Sequence, residues 1–241
     1  MLNARHWLKR AALTPIALGI LFTQVPSAAA DPPNLLENGG FEIGPAIPGG
    51  QSFLSLPGGS TAIAGWTVIG SEIDYIGPGW AVSEGTRCID LDGSFATGGI
   101  AQTFIATPGQ VYTATFDLSG NPEGPPLIKQ VRVEIDGVSQ VFDFNTTGQT
   151  RSSLIWLPQS IVFTASQEQV EWSFLSLSSG GNSWGALIDR VSVEVVSECT
   201  WDLDFDGNVG INDLLELLDN WGNPYGITDF LELLGAWGAC P

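Results

Sequence analysis

Ten strand-length runs occupy residues 61 to 195, and none of them carries a helical period. They are Thr61 to Ile69, Glu72 to Ile76, Thr86 to Leu91, Gly99 to Ala106, Gln110 to Leu118, Ile128 to Ile135, Ser139 to Phe144, Ser160 to Thr164, Gln169 to Leu175 and Leu187 to Val195. Many are bounded by Gly, Pro, Asn or Asp, the residues that turn a chain. Alternation is plain where Tyr112, Ala114, Phe116 and Leu118 oppose Thr113, Thr115 and Asp117, and where Val131, Val133 and Ile135 oppose Arg132, Glu134 and Asp136. Short strands with one polar face each argue a mainly β fold, a sandwich or jelly roll with one core, over residues 31 to 197.

The first thirty residues read as an address. Arg5, Lys9 and Arg10 make a basic start, Ala11 to Val25 a short apolar run, and Ala28-Ala29-Ala30 a small-residue cleavage site. Together they read as a secretory signal peptide, and the apolar run falls short of the roughly twenty residues a membrane span needs. Export removes three of the eight basic residues and leaves five against 26 acidic ones, a mature charge of about −21. So acidic a surface excludes nucleic acid as a partner, because that affinity rests on Lys and Arg neutralising phosphates. The only histidine is His6, inside the signal, and the only later lysine is Lys129. A Ser-His-Asp triad, a Cys-His pair and a His-ligated zinc are therefore excluded. What chemistry remains must use carboxylates, a hard cation, or both.

Such a cation has an obvious seat in Asp202-Leu-Asp-Phe-Asp-Gly-Asn-Val-Gly-Ile-Asn-Asp213. Asp202, Asp204, Asp206 and Asp213 stand at positions 1, 3, 5 and 12 of a calcium loop, with Gly207 at the sharp turn and Asn208 offering its carbonyl. A helix should follow, since Ile211, Leu214, Leu215, Leu217, Leu218 and Trp221 are apolar at mostly helical spacing. The segment from Gly210 to Gly222 then recurs from Gly226 to Gly238. This tandem resembles a dockerin, the duplicated calcium module that docks secreted proteins onto a cohesin-like partner, and its ending, Gly238-Ala-Cys-Pro241, is similar to the GC-type dockerins of bacterial surface proteins. The second loop is cut down to Asn223-Pro-Tyr-Gly226, and counting back from Asp229 puts Leu218 at position 1, so one ion is expected. Cys199 and Cys240 bracket the tail (198 to 241); in a tandem of two such units the ends meet, which predicts a 199–240 disulfide. Closing a loop of some forty residues contributes roughly 4 kcal/mol. Cys88, in a strand-like run, is expected to be a buried, inert thiol.

A second resemblance covers nearly all of 34 to 196. Asn38-Gly-Gly-Phe-Glu42, Gly65-Trp-Thr-Val68, Asp74-Tyr-Ile-Gly77, Gly98-Gly-Ile-Ala-Gln-Thr-Phe104, Tyr112-Thr-Ala-Thr-Phe-Asp-Leu118, Gly120-Asn-Pro122 and Ala186-Leu-Ile-Asp-Arg-Val191 resemble the choice-of-anchor C family, which is related to a plant cell-wall domain of unknown function. The resemblance implies a galactose-binding-like jelly-roll sandwich associated with cell-wall polysaccharide, with the dockerin-like tail as the anchoring device. It also implies a structural calcium to which Glu42 and Asp189 contribute. Sugar binding needs aromatic rings against pyranose faces; Trp80 and Trp184 lie in Gly-rich turns that expose them, whereas Trp66, Trp156 and Trp172 lie in strand-like runs and read as core. The expectation is a secreted, non-catalytic surface module that binds polysaccharide. The competing readings are a carboxylate-dependent glycan hydrolase drawing on Asp90, Asp92, Glu134 or Asp136, and a structural protein-binding module.

Overall fold

A computed structural model describes residues 33–94, 96–178, 183–196 and 199–240; the signal-peptide reading lies outside them. Eleven strands build the sandwich: β1 (Phe53–Pro57), β2 (Thr67–Gly70), β3 (Glu72–Ile76), β4 (Cys88–Asp90), β5 (Gly98–Ile105), β6 (Val111–Gly120), β7 (Ile128–Ile135), β8 (Val138–Asn145), β9 (Leu157–Thr164), β10 (Gln169–Ser176) and β11 (Ala186–Val195). One sheet runs β1-β3-β4-β11-β6-β9 and the other β2-β5-β10-β7-β8, with every pairing antiparallel. From β4 onward the chain passes repeatedly from one sheet to the other, which is the winding of a jelly roll.

The alternation read from the sequence sets what faces inward. Tyr112, Ala114, Phe116 and Leu118 of β6 meet Val131, Val133 and Ile135 of β7 in one core. Its centre is aromatic: Phe116 lies edge-on to Phe174 with centroids 5.0 Å apart, and Phe41 packs on Trp66 at 5.2 Å. Trp66 and Trp172 are buried as expected, while Trp156 is only half-buried. The Asn38-Gly-Gly-Phe-Glu42 segment is scaffolding: the Asn38 amide bonds Ile43 and Ala64, and the Tyr75 hydroxyl donates to the Phe41 carbonyl at 2.6 Å.

Three boundaries differ from the sequence reading. The strand expected from Thr61 starts only at Thr67, because the chain turns at Ile63–Trp66, where the Trp66 N–H returns to the Ile63 carbonyl at 3.0 Å. β1 was not expected; it is a short edge strand ending on Pro57, which an edge tolerates. β9 begins at Leu157 rather than Ser160, since it too is an edge and Pro158 loses no ladder bond there.

The tail comprises β12 (Asn208–Val209), α1 (Ile211–Asp219), α2 (Ile227–Gly235) and β13 (Gly238–Ala239), with β12 paired to β13. Leu203, Val209, Leu217 and Leu233 form its small core. The expected bridge is present: Cys199 and Cys240 are joined with Cα atoms 5.5 Å apart. Cys88 is a buried free thiol, and burial pushes its pKa well up. Among the described residues no helix is long and apolar enough to cross a membrane. Reduction of the disulfide should destabilise the tail by about 4 kcal/mol; far-UV circular dichroism should lose helical signal while the sandwich keeps its melting temperature.

Candidate functional site

Three polar constellations stand out: one in the tail, one where Glu42 and Asp189 hold residues 83–87, and one under the loops at an end of the sandwich. In the tail, carboxylate oxygens of Asp202, Asp204 and Asp206 lie within 4.8 Å of one another. Calcium–oxygen distances of about 2.3–2.6 Å allow two ligands of one ion to be at most about 5 Å apart, so this trio fits a hard cation. Gly207 makes the predicted turn with φ +85, a region that excludes most side chains. Backbone N–H groups of Asp206 and Gly207 donate to Asp202, and burial raises the Asp202 pKa, opposed by those two donors.

Asp213, expected at position 12, stands in the first turn of α1 and accepts backbone N–H groups on both oxygens. Its Oδ1 accepts the Leu203 and Asp204 N–H groups at 2.6 and 3.1 Å, and its Oδ2 accepts the Gly210 N–H at 2.6 Å, capping α1. Asp229 does the same for α2 through Gly226, although no acidic loop precedes it. A helix start needs acceptors for its orphan N–H groups, and that need accounts for the repeated Asp without a metal. Asn208 lies in β12 and donates its N–H to Asp206.

Glu42 and Asp189 come together on one loop. Glu42 accepts the Thr86 and Arg87 N–H groups and the Thr86 hydroxyl; Asp189 accepts the Ser83, Glu84 and Arg190 N–H groups. Asp189 is fully buried, and burial pushes its pKa up to about 7 against those three donors. The neighbouring Arg190 guanidinium lies instead against Glu84 and Asp117. The two acids thus clamp residues 83–87, and the Asp189 charge has no cationic side chain of its own among the described residues.

At the loop end, residues 183–185 are held by a buried network. Lys129 Nζ donates to the Gly124 and Trp184 carbonyls at 2.8 and 2.6 Å. Asp90 accepts the Asp92 and Gly185 N–H groups on Oδ1 and the Asn121 amide on Oδ2. Ser183 Oγ donates to the Ser94 carbonyl at 2.5 Å. The Trp184 ring covers Gly124, where an added Cβ would lie 2.1 Å from its Cε3, so only glycine lets the indole settle there. Lys129 was missed in the sequence, yet the signal existed: strand alternation puts it on the same face as Val131, Val133 and Ile135.

Trp80 departs from expectation. It is half-buried: the ring packs with Val82, Leu154 and Trp156 over Ile76, Cys88 and Leu187, and its indole N–H is buried with no partner among the described residues. Of the hydrolase candidates, Glu134 and Asp136 line one cavity at the β7–β8 turn. Asp90 and Asp92 are buried, whereas Asp136 gives both oxygens to Ser166, and Glu134 is engaged by Arg132 and Ser139.

The chain belongs to the family described as "Protein of unknown function (DUF642)", which matches residues 34–194. It is 30% identical over 184 residues to halomucin of Haloquadratum walsbyi (strain DSM 16790 / HBSQ001), an alignment covering 76% of this chain and 2% of halomucin. The chain therefore spans only a small part of that relative. Among solved structures it is similar to TmCBM61 in complex with β-1,4-galactotriose, at 15% identity, TM-score 0.43, covering 68% of this chain and 99% of that one. It is also similar to an arabinose-bound α-L-arabinofuranosidase, MgGH51, at 13% identity, TM-score 0.46, covering 70% of this chain and 27% of that one. At such identities and scores these likenesses say nothing of what this chain binds.

Burial pushes Asp74 and Asp92 up to about 6 and Asp90 well above the carboxylate range. Unfolded, all three titrate near pH 4. The folded state therefore holds more protons from roughly pH 4 upward, so stability from Asp74 and Asp92 is complete below pH 4 and lost as pH rises through about 6. Thermal melts should show the sandwich more stable at pH 5 than at pH 7.5. Asp92→Asn should recover about 1–3 kcal/mol at the higher pH and little at the lower.

Proposed function

We propose that this chain is an exported glycan-binding protein whose sandwich holds polysaccharide at its loop end and whose calcium-ordered tail fastens it to a cohesin-like partner. The observation that carries the glycan reading is the fixed indole of Trp184: Lys129, Asp90 and Ser94 pin the backbone on either side, and Gly124 seats the ring. An aromatic plate that loses little freedom on binding suits the apolar face of a pyranose. With no histidine after His6 and its one lysine bound into the network, the site is built for holding rather than for proton transfer.

The tail reading draws on a duplicated surface. Ile211, Leu215, Leu218 and Trp221 recur as Ile227, Leu231, Leu234 and Trp237, and all eight side chains are between 43% and 63% exposed. Apolar patches of this kind mark protein contacts, and calcium in the Asp202–Asp204–Asp206 trio would hold the first helix in place to present them. A second ion shared by Glu42 and Asp189 would supply the positive charge that buried Asp189 lacks.

Calorimetry with calcium should report one equivalent lost in Asp202→Asn and a second lost in Asp189→Asn; no uptake of calcium by the wild type contradicts the metal reading. Pull-down of the mature chain on insoluble polysaccharides, with calcium present, should retain the wild type. Trp184→Ala should weaken retention by about 2 kcal/mol, roughly thirtyfold. Equal retention of the variant sinks the loop-end site.

A further inference from the structure

We propose that the outer face of the six-stranded sheet, where β11, β6 and β9 lie side by side, is a second subsite for a neutral glycan, read by the Arg190 guanidinium. The inference rests on the glycan-binding reading, but not on Trp184.

The register lays out the surface. Pairing sets Asp189 against Asp117 and then Pro158, Ser192 against Thr115 and then Ser160, and Glu194 against Thr113 and then Val162. The ladder slips between Asp189 and Ser192, and in that bulge Arg190 stands beside Asp117. The outward row of Ser192, Thr115 and Ser160 is therefore made of hydroxyls. A concavity of about 420 Å³ opens over these strands, lined by Thr115, Asp117, Pro158, Gln159, Ser160 and Arg190. That volume is within the range of roughly 300–1,000 Å³ typical of small-ligand sites.

Arg190 is the unexpected residue. Its φ is +48, a left-handed conformation that is costly for a long side chain. Just before the bulge Asp189 pairs with Asp117 and accepts the Ser83 and Glu84 N–H groups, which holds the 83–87 loop over that end of the face. Gly, Asn or Asp would make the same bend at lower cost, so the choice of Arg calls for a role of its guanidinium. Bulges re-aim side chains in this way. The guanidinium is more than half exposed and makes no hydrogen bond among the described residues; its nearest acidic atoms are Asp117 Oδ2 at 3.5 Å and Glu84 Oε2 at 3.8 Å. Its N–H groups are thus held over the concavity by charge and left available. Asp117 already takes the Ser83 hydroxyl on Oδ2 and keeps Oδ1 as an acceptor.

The ligand class follows from these groups. A donor fork beside a carboxylate, the Thr115 and Ser160 hydroxyls and Gln159 together match the adjacent hydroxyls of a hexose, each of which donates and accepts. Pro158 supplies an apolar surface for a ring face. Asp117, Glu84 and Glu194, on a chain of formal charge −18, repel carboxylated or sulfated polymers. The occupant is a neutral glycan chain.

The test titrates soluble oligosaccharides of galactan, xylan, mannan and cellulose into the mature full chain with calcium present, for wild type, Arg190→Asn and Trp184→Ala. Asn accepts the left-handed backbone, so Arg190→Asn should keep or raise the melting temperature while weakening the bound glycan by about tenfold or more. Binding by Arg190→Asn as tight as wild type, with Trp184→Ala impaired, overturns the subsite and leaves the loop-end reading standing. If wild type binds none of the four, the glycan reading fails and the subsite with it. Should Arg190→Asn lower the melting temperature, Thr115→Val decides: a loss of affinity supports the subsite and unchanged affinity overturns it.

Discussion

The arrangement of the sandwich's loop end depends on one buried ammonium. Lys129 lies within β7, on the core side of the strand, and reaches two backbone carbonyls on two different loops, those of Gly124 and Trp184. A buried cation is tolerated only when its donors are satisfied and opposite charge is near. Both conditions are met: burial lowers the Lys129 pKa, and Asp90 and Asp92 counter that effect. Asp90 in turn ties Asn121 and Gly185 to the same place. Residues 183–185 are thereby fixed from beneath, with the half-buried Trp184 between them.

The two halves of the chain solve the problem of order differently. The sandwich has a large aromatic core and spends its buried polar groups on positioning loops. Among the described residues the tail has four buried apolar side chains, too few for a module of its size to stand on alone. Its disulfide joins its two ends, and the acidic trio is left with charge that a hard cation can neutralise. The same Asp at the start of each helix shows how a duplicated sequence keeps what the backbone needs, a cap, where no acidic loop precedes the helix.

Most of the fold was legible because alternation is a direct consequence of strand geometry, and inner faces such as Tyr112 to Leu118 could be read without any contact information. The edges were not: Pro57 and Pro158 argue against strands unless it is known that their edge of the sheet is free. The site was legible only in part. Asp202, Asp204 and Asp206 are close in sequence and so close in space, whereas the capping role of Asp213 was not read, because a cap and a position-12 ligand demand the same residue at the same spacing. Trp80 could not be told from Trp184, since both sit in glycine-rich turns and only the packing of distant Leu154 and Trp156 distinguishes them. Lys129 carried its own signal, a lone lysine in phase with Val131 and Val133, and the inward phase is what marks it as structural.

The most direct test is Lys129→Met, which keeps the bulk of the side chain and removes the ammonium, with thermal melting and glycan affinity measured on the same preparation. Leaving the Gly124 and Trp184 carbonyls without their charged donor, and Asp92 without its counter-charge, should cost about 3–5 kcal/mol, and glycan retention should fall although Trp184 is untouched. A variant that melts and binds as the wild type does would contradict the claim that this buried cation organises the site.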